Sequence, residues 1–565
     1  MLYIMKKKMN KKIVLSTTLL CTMYSLPAFA ESPLPSFDKS AVVEYPYNRT
    51  GQQEAIIEDK NNEKYNHGNI GTKENPAFFV KNIKITGFEL PKEHNGKTLN
   101  SILGQYSNRN VDFNILNELT KVITEYTRDC GYTVAQAVIP PQEVIDGQLE
   151  VKIYVASYDN ISLNSNTSEV ADRVLAKFID PLHKDEVITD KKLESVMNEI
   201  NDLPGVIAKA TLYPGSRPAT TGVSIDVLRR PIWNNYLFYD NGGSQSSGRY
   251  RYGFHTEINN PGHQGDKIGL SGYCTNEDTD NYGINYETAI GSRGTRWGIG
   301  YSKSTYDIGW LDDFINPSGE SEGLSFYGLT PVYRDKTKRV TALYGYDHRK
   351  IKDNMQVKLN LGALGDFTNT DINEKSADVY HLGIATSEYQ PNRFTYADLI
   401  YWYGDIDTKN VSAYYDGNYH KLTADFNHVR YWKDWNARLE LHAQMANRDL
   451  DGSERFYLGG INSVRAYPAS ETSGDAGYSA TLEIRRATGI EGLEVATFID
   501  TGRVRLAKSA NQYESLSGWG LGLRYSKPND WYAQFDYAWK INAQPYQSED
   551  HDHNGRMWFQ VYKMF

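Results

Sequence analysis

Apolar and polar residues alternate over most of the second half of the chain. From residue 437 to residue 445 every odd-numbered position is apolar, while the even-numbered ones are Arg, Glu, His and Gln; residues 531–540 and 357–361 show the same period. A period of two predicts β-strands with one apolar and one polar face. Such strands fit either a soluble sandwich or a barrel whose outside faces lipid.

Two stretches before this region combine strand and helix patterns. Residues 78–157 begin with an alternating segment, continue with a helical pattern from about Asp112, and close with two alternating segments. Gly131 is placed to end that helix. Residues 158–230 repeat the order of strand, helices, strand and strand, with one helix expected to begin near Thr189. We therefore predict two copies of one small α/β domain, each of about 75 residues.

The N-terminal part of the chain has a different character. Five lysines precede an apolar stretch that closes with Ala-Phe-Ala at residues 28–30, so residues 1–30 predict a secretory signal peptide. Residues 31–77 are polar and contain several prolines, a composition that favours a linker. Residues 52–65 are compatible with a short helix whose thin apolar face suits a polar tunnel better than a core. A plug helix and a plain linker are both open alternatives here.

Composition favours the barrel over the sandwich. Tyr occurs 42 times and Gly 46 times among 565 residues, and aromatic residues combined with alternation are typical of the girdles of membrane barrels. At roughly 10 residues per spanning strand, the about 330 residues from 231 to 565 predict about 16 strands. The predicted fold class is mainly β: a transmembrane β-barrel at residues 231–565, preceded by two α/β domains and an N-terminal plug or linker segment.

Several function classes are disfavoured by the residues themselves. The net charge of −9 argues against a nucleic-acid partner. Beyond the predicted signal peptide only Cys130 and Cys274 remain, which gives no disulfide framework. His551 and His553 lie in a polar turn with too few further ligands for zinc, and Tyr282 breaks a calcium-loop pattern. We predict no catalytic residue, no metal site, no cofactor and no enzymatic activity.

A glycine-containing stretch interrupts the strand pattern near residue 460. Residues 456–467 read Phe-Tyr-Leu-Gly-Gly-Ile-Asn-Ser-Val-Arg-Ala-Tyr, and residues 497–502 place Asp500 within a strand-like segment. We predict that the first stretch folds into the barrel and that Arg465 pairs with Asp500, because a guanidinium and a carboxylate can form two parallel bonds. The alternative is an ordinary surface ion pair, worth about 0–1 kcal/mol.

Four motifs together resemble one known family. Residues 193–206, followed by Leu-Tyr-Pro-Gly at 212–215, resemble the second polypeptide-transport-associated (POTRA) domain of two-partner secretion transporters. Residues 239–262 resemble the first barrel hairpin of that family, residues 456–477 its sixth extracellular loop, and residues 498–502 the partner motif of that loop on a later strand. From the first α/β stretch to its end, the chain is similar to the TpsB family of transporters.

This resemblance implies a 16-stranded transmembrane β-barrel in the Gram-negative outer membrane, two POTRA domains in the periplasm and an N-terminal plug helix. It implies export of a large β-helical exoprotein, the TpsA partner, of haemolysin, adhesin or contact-dependent toxin type, without ATP. Outer-membrane lipid and, during biogenesis, the barrel assembly machinery are the further partners implied. The pore loop and its anchor would comprise Val464, Arg465, Tyr467, Asp500 and Gly502.

One position departs from the family motif. Ala466 stands where the family has a glycine between Arg465 and Tyr467. If that glycine serves a turn with positive φ, alanine costs about 1 kcal/mol there. We therefore expect a slightly different loop tip, with the role of the arginine unchanged.

Substrate capture is expected at the first α/β domain. Open strand edges accept an extended peptide by backbone pairing, and the second strand of that domain, with the adjacent helix end, suggests Tyr126, Tyr132, Val134, Gln136 and Val138. The alternative is that these residues belong to the core of the domain. A different function, insertion of other barrels into the membrane, is the alternative for the whole chain, although that class usually carries more than two POTRA domains.

Overall fold

The chain forms two small α/β units followed by a closed barrel. The computed structural model describes residues 56–59, 77–94, 96–245, 247–307, 315–335, 337–360, 366–409, 416–509, 511–541, 545–546, 548–549 and 552–565. The predicted signal peptide and most of the predicted plug or linker segment lie outside these residues. The first described element is strand β1 (Ile56–Asp59).

The first α/β unit packs one long helix on a three-stranded sheet of order β3-β8-β7. The carboxylate of Asp112 accepts a hydrogen bond from the Ile115 backbone N–H at 2.9 Å and so caps the helix; Gly131, at φ 93°, follows the helix end as predicted. Leu119 and Ile123 form the buried face of the helix. The elements are β2 (Phe78–Val80), β3 (Asn82–Gly87), β4 (Glu93–His94), β5 (Lys97–Thr98), α1 (Leu99–Gly104), β6 (Arg109–Val111), α2 (Phe113–Asp129), β7 (Ala135–Val138) and β8 (Gln148–Val155).

The second α/β unit repeats this plan, and its helix α4 begins directly after Thr189, as predicted. Its sheet has the order β1-β10-β11-β9, and the apolar faces of its two helices, including Phe178 and Ile200, complete a buried core. The elements are β9 (Ser157–Asn166), α3 (Asp172–Ile179), α4 (Asp190–Asn201), β10 (Val206–Pro214) and β11 (Thr220–Arg229). None of the described helices has the length and apolar character needed to cross a membrane.

The expected helix over residues 52–65 is wrong for the part that the structure describes. Residues 56–59 form β1, which pairs in parallel with β10 at the edge of the second α/β sheet. Ile57 packs against the core of that unit. Glu58 forms an ion pair with Lys209, in which Lys209 Nζ lies 2.6 Å from Glu58 Oε1. The β-branched pair at residues 56–57 suits a strand, and the edge of β10 supplies the backbone partners that an isolated helix would lack.

The barrel closes with sixteen antiparallel strands, as predicted. Each strand pairs with the next barrel strand in sequence, and β12 pairs with β29 to close the ring. The barrel strands are β12 (Trp233–Asp240), β13 (Arg251–Asn259), β14 (Lys267–Thr275), β15 (Asp280–Ile290), β16 (Thr295–Asp307), β17 (Ile315–Arg334), β18 (Lys338–Asn360), β19 (Asp366–Gln390), β20 (Arg393–Thr408), β21 (Gly417–Trp432), β22 (Trp435–Ala446), β25 (Ala476–Ala487), β26 (Leu493–Ala507), β27 (Gln512–Lys527), β28 (Trp531–Lys540) and β29 (Gly555–Met564).

The two faces of the barrel wall differ as the alternation predicts. On β28, Phe535 and Tyr537 are exposed on the outer surface, whereas Gln534 and Asp536 point inward and are buried. Apolar and aromatic side chains outside and charged ones inside are the arrangement of a barrel that stands in lipid around a polar lumen.

The connection between β22 and β25 folds into the lumen. We call residues 447–475 the inward loop. It contains a 3-10 turn (Gly452–Glu454) and a small hairpin of β23 (Phe456–Leu458) and β24 (Thr472–Gly474). The segment between the two hairpin strands is the loop tip, residues 459–471, whose apolar side chains pack in a buried cluster with inward-facing residues of the last strands.

Candidate functional site

Two adjacent glycines shape the loop tip. Gly459 and Gly460 have φ values of 104° and 102°, a region that other residues rarely adopt. A Cβ atom on Gly459 would lie 2.4 Å from the carbonyl oxygen of Pro468. The Gly460 N–H donates to the Tyr467 carbonyl at 3.1 Å, and the Tyr467 N–H donates to the Val464 carbonyl at 3.1 Å. The tip is therefore a compact turn that presents residue 465 toward the barrel wall.

The structure brings Arg465 and Asp500 together. The Arg465 Nε and Nη2 atoms each donate to one carboxylate oxygen of Asp500 at 2.9 Å, and the Arg465 backbone N–H donates to the same carboxylate at 3.1 Å. The side chain of Arg465 is 5% exposed and that of Asp500 is 0% exposed. The ring of Phe498 lies 3.3 Å from the guanidinium carbon. The burial excludes the alternative of an ordinary surface ion pair.

Two further carboxylates hold the same guanidinium. Arg465 Nη1 donates to Glu483 at 2.8 Å and to Asp536 at 3.2 Å. Arg524 bridges these two carboxylates at 2.8 Å and 2.7 Å. Glu483, Asp536 and Arg524 lie on β25, β28 and β27, and the sequence motifs did not identify them as part of the site. The alternation of the sequence predicts that these side chains face inward. It does not predict the strand register that brings them to Arg465.

The backbone carbonyls of the tip are held by aromatic side chains. The Trp558 indole N–H donates to the Arg465 carbonyl at 2.6 Å, and the Tyr546 hydroxyl donates to the Ala466 carbonyl at 3.0 Å. Trp558 is fully buried on the last strand, β29. The tip is thus bound through side chain and backbone to four of the last five strands.

The backbone at Ala466 does not have the positive φ angle that would strain an alanine. Ala466 is not among the described residues with positive φ, so the predicted cost of replacing glycine does not arise from the backbone. Its methyl group faces Gly518 on β27, where an added Cβ would lie 2.4 Å from the Ala466 Cβ. A glycine on the wall thus makes room for the alanine on the loop.

The other predicted loop residues have packing roles. Val464 and Tyr467 are both 0% exposed and belong to the buried cluster around the tip. A Cβ atom on Gly502 would lie 2.3 Å from a methyl carbon of Leu458, so this glycine leaves space for the loop hairpin against β26. Val464, Tyr467 and Gly502 therefore fit the loop to the wall, while Arg465 and Asp500 supply the charged contact.

The five residues predicted for substrate capture divide into two groups. Tyr126 is buried and its hydroxyl donates to the Pro91 carbonyl at 3.2 Å; burial raises the pKa of its phenol. Val134 packs against the core of the second α/β unit. Tyr132 is half-buried beside Phe88.

Gln136 and Val138 are half-buried on β7, an edge strand of its sheet. The free edge of β7 faces helix α2 and is partly satisfied by it. The Ala137 N–H donates to the Thr124 hydroxyl at 2.9 Å, and Arg128 Nε donates to the Ala135 carbonyl at 3.3 Å. An extended peptide can pair with this edge only by replacing these two side-chain bonds. In the described part of the chain, no group of three His, Cys, Asp or Glu side chains is placed to hold a metal ion.

Comparison with known families decides what the site belongs to. The family model of the haemolysin secretion/activation protein ShlB/FhaC/HecB matches residues 220–525, more than half of the chain. The chain belongs to this family. The ShlB-type POTRA domain matches residues 78–155 of the same chain. The protein is thus an outer-membrane transporter of the two-partner secretion class, with its POTRA domains on the periplasmic side.

Individual relatives cover nearly the whole transporter. The heme/hemopexin transporter protein HuxB of Haemophilus influenzae (strain 86-028NP) is 24% identical over 491 residues, or 82% of this chain and 83% of HuxB. The outer membrane transporter CdiB of Dickeya dadantii (strain 3937) is 23% identical over 488 residues, or 83% of each chain. The solved structure of CdiB from Escherichia coli has a TM-score of 0.65 at 17% identity and covers 88% of this chain and 92% of its own, which shows a shared fold.

Proposed function

We propose that this transporter exports a large β-helical exoprotein, its TpsA partner, from the periplasm to the cell surface without ATP. In this proposal the POTRA domains capture the exoprotein, the barrel is the conduit, and the inward loop closes the conduit at rest. The observation that carries the proposal is the buried contact of Arg465 with carboxylates on three strands of the lumen wall.

The electrostatics of the tip explain why the loop would stay in place. Bonds to charged groups contribute about 1.5–3 kcal/mol each where water is excluded. Removing one partner of a buried ion pair costs about 3–5 kcal/mol, because the remaining charge is left without compensation. Since Arg465 is the one cation of the loop that contacts Asp500, Glu483 and Asp536 together, the loop leaves this position only when another contact offsets the loss. A passing polypeptide would supply such contacts.

Replacement of Arg465 tests the closure. Arg465→Ala should lower surface display of the exoprotein strongly and raise the resting conductance of the purified protein in planar bilayers, because three buried carboxylates lose their shared partner. Arg503→Ala is the matched control, since Arg503 lies on the same strand as Asp500 but is exposed and stacks on Tyr513.

Wild-type display and conductance in Arg465→Ala would reject the closure by the loop. The same conductance measurement on a chain lacking residues 31–55 tests the further proposal that the N-terminal segment acts as a second gate. If removal of the transporter lowers the amounts of other outer-membrane barrels and not of one surface exoprotein, the assembly-factor alternative is favoured instead.

We further propose that capture uses the edge of β7 in the first POTRA domain. The geometry supports a site that is occupied internally until the exoprotein arrives, because Thr124 and Arg128 already bond to that edge. Gln136 and Val138 would then contact alternate side chains of the incoming strand.

Release of one internal bond tests this site. Thr124→Val keeps the shape of the side chain but frees the Ala137 N–H, so the affinity for the N-terminal segment of the exoprotein should rise about 2- to 10-fold, the value of one hydrogen bond. Thr120→Val is the control, because the Thr120 hydroxyl bonds to Asn117 within the same helix. Equal affinities for the two variants, measured by titration calorimetry, would place capture elsewhere.

A further inference from the structure

The root of the inward loop is buried as deeply as its tip. We call residues 449–455, which include the 3-10 turn, the loop root. Asp451 and Glu454 within it are both 1% exposed. A charged side chain this deeply buried requires a partner of opposite charge, because burial of an isolated charge is strongly unfavourable. The partners therefore show what the loop root is fastened to.

Glu454 is held by two cations from the lumen wall. Arg349 Nη1 donates to its Oε1 at 2.6 Å, and Lys421 Nζ donates to its Oε2 at 2.7 Å. Lys421 Nζ also donates to the backbone carbonyl of Glu454 at 3.3 Å. Arg349 lies on β18 and Lys421 on β21, so one carboxylate joins the loop to two separate strands.

Asp451 has a third cation. Lys375 Nζ, on β19, donates to both carboxylate oxygens of Asp451 at 3.0 Å and 2.9 Å. Asp451 also accepts the backbone N–H and the hydroxyl of Ser453 at 3.0 Å and 2.8 Å, which fixes the 3-10 turn. The same carboxylate therefore shapes the loop root and attaches it to the wall.

The ion pairs of this cluster join three cations to three carboxylates, because Lys375 has Asp353 at 3.3 Å besides Asp451. The buried carboxylate of Asp347 also lies close enough to Arg349 to interact with it. In such a buried cluster the loss of one member changes the net charge, whereas the loss of one cation and one anion together does not. This difference provides a test that distinguishes the effect of charge from the effect of volume.

A rigid connection joins the loop root to the tip. The Tyr457 hydroxyl donates to the Gly452 carbonyl at 2.6 Å, and Gln444 Nε2 donates to the Glu454 carbonyl at 2.9 Å. The β23–β24 hairpin then continues directly from the root to the two glycines of the tip. A displacement of the root is therefore transmitted along paired backbone to Arg465.

The two acidic side chains Asp451 and Glu454 and the tip are attached to different arcs of the barrel. Asp451 and Glu454 are bound to β18, β19 and β21, and the tip is bound to β25, β26, β28 and β29. Elsewhere in the root, the Glu454 carbonyl accepts from Gln444 on β22, and Asp449 accepts from Ser509 after β26. We propose that Asp451 and Glu454 form a clamp that fixes the loop root to the wall and thereby positions Arg465 in its pocket. This inference rests on the proposed role of the inward loop. It adds that the loop is fixed to the wall at its root as well as at its tip.

Exposure of the tip to a thiol reagent tests the clamp. Val464→Cys, in a chain carrying Cys130→Ser and Cys274→Ser, places a thiol at a fully buried position of the tip. Its labelling by a membrane-impermeant maleimide is measured on the purified transporter without the predicted signal peptide, which contains Cys21, in detergent. Glu454→Gln should raise the labelling rate about tenfold or more, the scale expected when one partner of a buried ion pair is lost.

Two controls separate a positioning role from general loosening. Glu440→Gln removes a carboxylate whose partners Arg438 and Asn427 both belong to the wall, and it should leave labelling at Val464→Cys unchanged. Ala496→Cys places a thiol at a buried wall position near the N-terminal end of β26. Glu454→Gln should leave the labelling of this thiol unchanged.

Equal labelling of Val464→Cys in Glu454→Gln and Glu440→Gln overturns the clamp, as does a parallel rise at Ala496→Cys. If Glu454→Gln does not assemble, Glu454→Gln with Lys421→Gln is measured instead. It removes the bonds of the Glu454 carboxylate but leaves the net charge unchanged, so it should raise the labelling by a smaller factor, and no rise overturns the clamp. The labelling experiment contains no exoprotein, so its result does not depend on secretion. A normal secretion level in Arg465→Ala would therefore reject the proposed closure but not the clamp.

Discussion

At the scale of single residues, the site depends on a pair of small side chains as much as on its charges. Ala466 and Gly518 face each other so closely that only one of them can carry a methyl group. The loop has a methyl group where the motif resemblance predicts a glycine, and the wall has a glycine opposite. The departure from the family motif is therefore accommodated across the interface and not within the turn.

This pairing predicts the outcome of a double-mutant cycle. Gly518→Ala should destabilise the docked loop by about 1–3 kcal/mol, the usual cost of overpacking a buried site. Ala466→Gly should have a small effect, and the double variant should recover most of the loss because the methyl group has changed sides. The measurement is the temperature at which the folded barrel loses its faster migration in gels. Additive effects of the two substitutions would show that the residues do not interact.

How much of the site was predictable follows from the kind of information each residue carries. Arg465 and Asp500 lie in recognisable motifs, and their chemistry predicts a bidentate pair. Glu483 and Asp536 lie in ordinary alternating segments, where every second residue is polar. Which of those polar residues meets the arginine depends on strand register and on the path of the loop, and neither has a local signature.

At the scale of secondary-structure elements, the second α/β unit is attached to the barrel through the end of helix α4. Arg334, the last residue of β17, forms an ion pair with Asp202 and donates to the Asn198 carbonyl at 3.3 Å. Arg339 also forms an ion pair with Asp202, at 3.3 Å. Glu199 lies beside them and accepts the Ser195 hydroxyl at 3.1 Å. Burial raises the pKa of the Glu199 carboxyl above its ordinary value of 4.5.

The raised pKa predicts how this attachment depends on pH. Burial penalises the charged carboxylate, so its cost is absent below pH 4.5 and grows as the pH rises through the raised pKa. Glu199→Gln should therefore slow hydrogen exchange of α4 severalfold at neutral pH and leave it unchanged below pH 4.5. Comparison of the variant with the wild type at each pH removes the intrinsic pH dependence of exchange.

Glu186 is a control of opposite sign. Its bond from Lys192 lowers the pKa of the Glu186 carboxyl, so its contribution is present at neutral pH and is lost as the pH falls through the lowered pKa. Glu186→Gln should accelerate exchange near its own position at neutral pH. Accelerated exchange of α4 in Glu199→Gln at neutral pH would contradict the role of burial.

Strand β1 shows why short elements are harder to predict than long ones. The sequence is compatible with a helix at residues 52–65, in which Ala55, Ile56 and Ile57 form a thin apolar face. Four residues cannot specify their own conformation, because a short segment gains its stability from the partner to which it binds. The edge of β10 decided the outcome, and that edge lies about 150 residues away in the sequence.

At the scale of the whole molecule, the sequence was most informative where one physical constraint acts on every strand. Lipid outside and a polar lumen inside impose the same period along the entire wall, so alternation and length together predicted the closed ring and its sixteen strands. Strand length is not constrained in this way beyond the membrane. β12 has 8 residues and β19 has 25, and this difference was not predictable from the period.

The bond from Trp558 to the Arg465 carbonyl also orders events in time. The ribosome synthesises Arg465 before Glu483, Asp500, Asp536 and Trp558. The loop tip is therefore made before these wall residues that bind it. The site for the tip is complete only when β29, the last of the sixteen barrel strands, has taken its place in the wall. Full burial of Arg465 therefore requires a wall that includes β29, and a docked tip is a mark of such a wall.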